Sequence, residues 1–309
     1  MVIFLALLAS ALRLATPLIF SALGGIFSER SGVVNIAIEG IMINGAFFAI
    51  LATKYTGSPW LGVLAAMVVG ALTALLLAVL AIHLRGNQVV AGVAINLFAT
   101  SITAFLLEMI WQRSGQTDSV PQALTHNPLP FLEKIPVIGV LFSGLTPFVY
   151  LSFVAVAITY YVIYKTPFGL RVRAVGEHPR AADTVGINVY KIRYICVMIS
   201  GVLAGISGAS LSLGTVSLFR EGMTSGKGFI AIAAMIFGKW HPVGAMLASL
   251  FFGFAEAVQI QASSLGIDKI PSEFLQTLPY VATILVLSGF IGRAVAPKAG
   301  GIPYEKGHR

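Results

Sequence analysis

Apolar residues run in long blocks along this chain, broken by short polar punctuation. A helix that crosses a bilayer needs about 20 predominantly apolar residues. Nine blocks approach that length: 2–27, 33–53, 59–83, 88–110, 145–165, 193–217, 226–240, 243–263 and 274–292. The seventh is short and flanked by glycine, which leaves a full crossing, a half-helix or a re-entrant segment open. Ten-residue segments of alternating polarity, the mark of an outer-membrane barrel, are absent. The pattern therefore predicts an all-α integral membrane protein: a polytopic bundle of about 8–10 transmembrane helices in a single domain over 1–309. The two longest interruptions are 111–144, rich in Pro, Gln and Thr, and 166–192, rich in charge.

Composition agrees with the pattern. Of the 309 residues, 57% are hydrophobic and 10% are charged, against about 25% charged in a soluble domain. Mean hydropathy is +0.89. The net charge of +8 needs no nucleic acid to account for it, because Lys and Arg collect in the cytoplasmic loops of membrane proteins. With 166–192 placed in the cytoplasm, the inner side receives Arg30, Arg85, Lys165, Arg171, Arg173, Arg180, Lys191, Arg193, Lys239, Arg293, Lys298, Lys306 and Arg309. The outer side receives Lys54, Arg113, Lys134, Arg220, Lys227 and Lys269. That bias, about two to one, puts the N-terminus and the 111–144 loop outside. The first apolar run has no basic residue before it and continues past Arg13, so it reads as a membrane segment rather than a signal peptide. Cys196, alone and within an apolar run, reads as an inert buried thiol.

LATKYTGSPWLGVLAAMV and MIFGKWHPVGAMLASL echo each other, each joining two apolar runs through a Gly and a Pro near a Trp. The echo is either coincidence or the trace of an inverted repeat, an arrangement that places a solute path at the repeat interface.

Polar residues inside the apolar blocks are the candidates for a lining. Glu39 lies well inside its block, where an ionisable group is costly and faces a cavity or a partner. Asn35 stands four residues before it, on the same helix face. The pair lines a pathway or pins one helix to another. Asn96, Thr100 and Thr103 form a second stripe at helical spacing, and Glu256, Gln259 and Ser263 a third. Gly201, Gly205, Gly208 and Ser212 form a small-residue stripe that suits close helix packing.

Searches for catalytic motifs are negative. TSGKGF has neither the spacing nor the Ser or Thr of a phosphate-binding loop. The histidines are scattered, which leaves no metal set, and no nucleophile elbow is present. The chain is expected to be no enzyme and to carry no cofactor; any ATP and Mg would sit on another chain.

Three stretches, RLATPLIFSALGGIFSERSGVVNIAIEGIM (13–42), GLRVRAVGEHPRAADTVGINVYKIR (169–193) and GKGFIAIAAMIFGKWHPVGAMLASLFFGFAEAV (226–258), resemble the permease subunit of bacterial ABC importers of the branched-chain amino acid and simple-sugar group. Within it they are most similar to the nucleoside or simple-sugar branch. The resemblance implies a type II importer permease in the bacterial plasma membrane. It also implies an ABC ATPase subunit, a second permease subunit, identical or paralogous, and an extracellular or periplasmic solute-binding protein. A short cytoplasmic coupling helix would dock on the ATPase, and it maps on Gly176, Glu177, His178, Pro179, Arg180, Ala181, Ala182, Asp183 and Gly186. Pro179 suits a first helical turn and Gly186 a C-terminal cap. A helix that short needs a partner surface. The solute implied is a nucleoside or a related sugar-containing solute, with a simple sugar as the alternative. The rival from another class is an ion-coupled carrier with Glu39 and Glu256 as ion sites.

Overall fold

The computed structural model describes residues 2–125, 142, 145–262 and 295–306. Among them the regular structure is helical, with one isolated bridge between Gln116 and Arg220. The elements are α1 (Val2–Arg30), α2 (Ile38–Thr56), α3 (Pro59–Ala78, prolonged by a π-helical turn Val79–His83), α4 (Gln88–Trp111), α5 (Pro147–Lys165), α6 (Pro167–Glu177), α7 (Pro179–Thr184), α8 (Val189–Leu211, prolonged by a π-helical turn Ser212–Val216), α9 (Lys227–Phe237) and α10 (Pro242–Ile260). Among the described residues six helices are long and apolar enough to cross a membrane: α1, α3, α4, α5, α8 and α10. The predicted segment 274–292 lies outside the described residues.

Proline sets many of the helix starts. Pro59, Pro147, Pro167, Pro179 and Pro242 occupy the first turns of their helices, where the missing N–H costs nothing and φ is already helical. The echo noted in the sequence falls on two tight helix hairpins, α2–α3 and α9–α10, each with such a Pro opening its second helix.

α8 is the axis of the bundle. It packs against α1, α2 and α3, and its small-residue stripe brings backbones together. A Cβ on Gly205 would lie 2.2 Å from the Ala66 carbonyl oxygen, and one on Gly208 2.0 Å from that of Met42. α4 and α5 flank this core and expose Leu97, Phe98, Phe105, Ile158 and Tyr161, which suits a lipid environment.

Two segments differ from the predicted helices. Residues 33–37 are not helical, so α2 begins only at Ile38. Gly32 (φ +91°) turns the chain, and the β-branched run Val33, Val34 and Ile36 favours extended backbone. α9 has 11 residues, about 16 Å, roughly half of a hydrocarbon core of about 30 Å. Of the readings open for 226–240, the structure takes the half-helix.

Basic residues gather at one end, where the segment 295–306 lies across the helix termini. Ala299 N donates to Gly176 O at 2.9 Å, and the buried Arg193 donates to Ser31 O and Ile302 O at 3.2 and 3.1 Å. Arg85 pairs with Glu305.

Candidate functional site

The predicted polar stripes part company. Helical spacing predicts Asn35 and Glu39 on one helix face, but Asn35 precedes the first turn of α2. Its Nδ2 donates to Ser200 Oγ of α8 at 2.9 Å. Glu39 turns instead to the start of the half-helix α9. Its Oε1 accepts from Thr224 Oγ1 at 2.6 Å and Gly226 N at 2.8 Å, and its Oε2 accepts from Gly228 N at 2.6 Å. A carboxylate on free N–H groups at a helix N-terminus is doubly favoured, by hydrogen bonding and by the helix dipole. Gly228 is required for the approach, since a Cβ there would meet Glu39 backbone atoms at 2.7 Å.

Asn96 on α4 does the corresponding work for α2. Its Oδ1 accepts from Gly40 N at 2.8 Å, and its Nδ2 donates to Ile36 O at 3.0 Å. Thr100 and Thr103 donate to carbonyls of their own helix, Asn96 O and Ala99 O, at 3.0 and 2.8 Å. The stripe on α4 thus serves backbone satisfaction and presents no row of free hydroxyls. Glu256 on α10 accepts from Lys227 Nζ, the first residue of α9, at 2.5 and 2.6 Å. Both side chains are mostly buried, at 12% exposure for Lys227 and 25% for Glu256. Gln259 lies one turn further along α10, half-buried. Ser263 lies outside the described residues.

Beside this junction is a cavity of about 580 Å³, a size that suits a small-molecule ligand. α1 contributes Arg13, Leu14 and Pro17. The end of α8 contributes Leu211, Thr215 and Val216. The connection to α9 contributes Met223 and Ser225, with Lys227 closing one side. A second cavity of about 260 Å³ shares Arg13, Leu14 and Thr215 with it. Asn35, Glu39, Asn96, Thr100 and Thr103 are not among the lining residues of either. The loops above are tied together: Thr117 N donates to Phe219 O at 2.9 Å, and Val120 N to Ser217 O at 2.8 Å.

The lining residues Arg13 and Thr215 are absent from the stripes predicted by helical spacing. Arg13 is an ionisable residue inside an apolar block, the same signal that marks Glu39. The π-helical turn at Ser212–Val216, a feature that often marks functional sites, has no signature in the apolar periodicity.

At the basic end α7 forms as a helix of six residues, Pro179–Thr184. His178 Nδ1 accepts from Ala181 N at 3.2 Å as its cap, and Gly186 leaves it with φ +84°. Glu177, His178, Arg180, Ala181 and Gly186 are exposed. Ala182 and Gly176 are buried, and a Cβ on Gly176 would lie 2.1 Å from the Arg30 carbonyl oxygen. These two hold the segment to the bundle and offer no surface. Asp183 lies 3.9 Å from Lys306. The sequence missed α6, an 11-residue helix capped by Thr166, which carries α7 on its end. A cleft of about 550 Å³ separates Glu177, His178, Pro179 and Arg180 from Lys298, Tyr304 and Glu305. Burial and a hydrogen bond with Asp183 hold the Tyr304 hydroxyl above the ordinary tyrosine value. Burial and the charge of Arg30 hold His241, at the α9–α10 hairpin, below the ordinary imidazole value.

The profile of the family described as branched-chain amino acid transport system / permease component matches residues 7–287. The chain is 51% identical to the guanosine ABC transporter permease protein NupQ of Bacillus subtilis, over 96% of this chain and 95% of that one. It is 44% identical to the nucleoside ABC transporter permease protein NupC of Lactococcus lactis, over 97% and 96%. Among solved structures it is similar to an inward-facing ABC transporter, with a TM-score of 0.50, 16% identity and coverage of 91% and 85%. That likeness concerns the fold.

Proposed function

The chain belongs to the family of branched-chain amino acid transport system permease components, and from that premise we propose that it moves nucleosides inward past α1, α8 and α9. It is a multi-pass membrane protein and the transport subunit of an ABC importer, not an enzyme. The observation that carries the solute class is the 51% identity, over nearly the whole of both chains, to a guanosine transporter permease. The cavity beside α9 supports it. Leu14, Pro17, Leu211, Val216 and Met223 offer apolar walls for a base, and Arg13, Thr215 and Ser225 offer hydrogen-bonding groups for its edge and the ribose.

ATP and its Mg reside on a separate ATPase. A second permease, identical or paralogous, completes the pore, and an external solute-binding protein delivers the nucleoside. The setting is the bacterial plasma membrane, with the basic end in the cytoplasm. The polar residues of the three helical stripes divide by role around the pathway. Glu256 belongs to its edge through Lys227, with Gln259 one turn beyond. Asn35, Glu39 and Asn96 tie together the helices around it, and Thr100 and Thr103 bond carbonyls of their own helix. The ion-coupled reading loses support, because both carboxylates it needs are engaged by protein donors.

The exposed face of α6–α7, with Glu177, His178, Arg180 and Ala181, is the docking surface for the ATPase. Gly176, Pro179, Ala182, Asp183 and Gly186 shape and anchor it. Substituting Ala181→Trp on that face is expected to reduce coupled uptake at least tenfold, with ATP hydrolysis and folded yield within twofold. Normal uptake per hydrolysed ATP in this variant contradicts the docking role.

The solute class is tested by competition. Uptake of labelled guanosine by cells expressing the complete transporter is expected to be blocked by excess unlabelled nucleosides and left unchanged by glucose, ribose or leucine. Blocking by leucine or a free sugar alone overturns the nucleoside reading.

A further inference from the structure

Arg13 lies within the Phe4–Arg30 span of α1, about 14 Å along the helix from Phe4. A charged side chain at that depth faces a partner or a water-filled cavity. Among the described residues no carboxylate pairs with it, and its hydrogen bond is from Nη2 to Ser10 Oγ at 3.2 Å. The side chain is exposed, and it lines both adjoining cavities. The other donors of its five-donor fork have no hydrogen-bond partner among the described residues.

The neighbouring charges are engaged. Lys227 is held by Glu256 at 2.5 Å. Arg220 Nη2 reaches Gln116 Oε1 at 3.4 Å, and Glu221 Oε1 accepts from Gly115 N at 2.9 Å. The N-terminus of α9, which would otherwise attract an anion, is already occupied by the Glu39 carboxylate. What remains is one planar donor fork beside apolar walls. Such a fork matches two adjacent acceptors on a neutral ring. Among nucleosides, a 6-oxopurine presents them as O6 and N7. Adenine sets an amino donor beside N7, and pyrimidines have no N7.

We propose that Arg13 is a specificity-determining residue of the translocation cavity, its guanidinium donating to the O6 and N7 edge of guanosine and inosine. The inference rests on the nucleoside reading above and adds the base class and the residue that selects it.

The test uses the complete transporter, with its ATPase, permeases and binding protein, in proteoliposomes. Initial uptake of guanosine, inosine, adenosine and guanosine monophosphate is compared for wild type, Arg13→Gln and Arg13→Lys. Taking the ratio of guanosine to adenosine uptake cancels differences in folded yield and in selection by the binding protein. That ratio is expected to fall about tenfold in both variants, the size of one lost bidentate contact, and inosine is expected to follow guanosine. The Lys variant separates the fork from its charge. A wild-type ratio in Arg13→Lys overturns the fork, and an unchanged ratio in both variants overturns any role in base choice. Wild-type uptake of guanosine monophosphate above guanosine, lost in Arg13→Gln, assigns Arg13 to a phosphate and also overturns the proposal. Absence of any nucleoside uptake by wild type brings down the parent reading, an outcome separable because it appears before any substitution.

Discussion

Glu39→Ala is expected to destabilise the transporter by about 3 kcal/mol, the order of cost when buried donors lose their charged acceptor. Thr224 Oγ1, Gly226 N and Gly228 N all lose their acceptor at once. Thr224 is buried, as is Gly228, so water does not readily replace the carboxylate. An unpaired buried donor costs about 1–3 kcal/mol, and the three share one acceptor group, so their losses do not simply add. The N-terminus of α9 also loses the negative charge that complements its dipole. Glu39→Gln is expected to fall between wild type and alanine, because an amide keeps one acceptor oxygen but points a donor at Gly228 N or Gly226 N. The check is the thermal unfolding midpoint of the purified transporter together with uptake per folded molecule. Lowered uptake at an unchanged midpoint contradicts the capping role and returns Glu39 to the solute path.

Gly205→Leu is expected to abolish folding. Gly205 stands where three helices meet: its own Cβ would lie 2.2 Å from Ala66 O on α3, and a Cβ on Gly45 of α2 would lie 2.6 Å from Gly205 O. Both obstacles are backbone, which cannot rotate away as a side chain can. Overpacking a core usually costs about 1–3 kcal/mol, but there a neighbour repacks. Here the α3 backbone at Ala66 must withdraw from α8. Gly205→Ala is expected to leave a measurable but reduced folded fraction. The readout is the monodisperse fraction after detergent extraction. Wild-type yield for the leucine variant contradicts the close approach of these backbones.

The membrane class and most helix positions were legible because long apolar blocks leave few alternatives and proline marks many of the helix starts. The break before α2 and the partner of α9 were not legible, for related reasons. The break at residues 33–37 is written in apolar letters, Val33, Val34 and Ile36, so a hydropathy reading passes straight through it. The spacing of Asn35 and Glu39 then promises a shared face that the backbone does not provide. The half-helix α9 is similar: its length was visible in the sequence, but its partner Glu39 lies 187 residues from Gly226. Polar residues at helical spacing also bond backbone: Asn96 accepts from Gly40 N and donates to Ile36 O at the start of α2, and Glu39 accepts from Gly226 N and Gly228 N at that of α9. Periodicity shows that a polar group is inside a helix block; it does not show whether its partner is a solute or a backbone. α7 was legible from Pro179 and Gly186, whereas the inward turn of Gly176 and Ala182 needed the packed bundle.

This chain is expected to carry nucleosides only as part of an ATP-driven complex, and reconstitution decides it. Proteoliposomes are made with the chain alone, and with its ATPase, second permease and binding protein; labelled guanosine is offered on the side of the binding protein, with or without ATP on the other. The expected result is accumulation only in the complete complex with ATP, and none by the chain alone under a proton or sodium gradient. Guanosine accumulation by the chain alone, driven by an ion gradient without ATP, would contradict it.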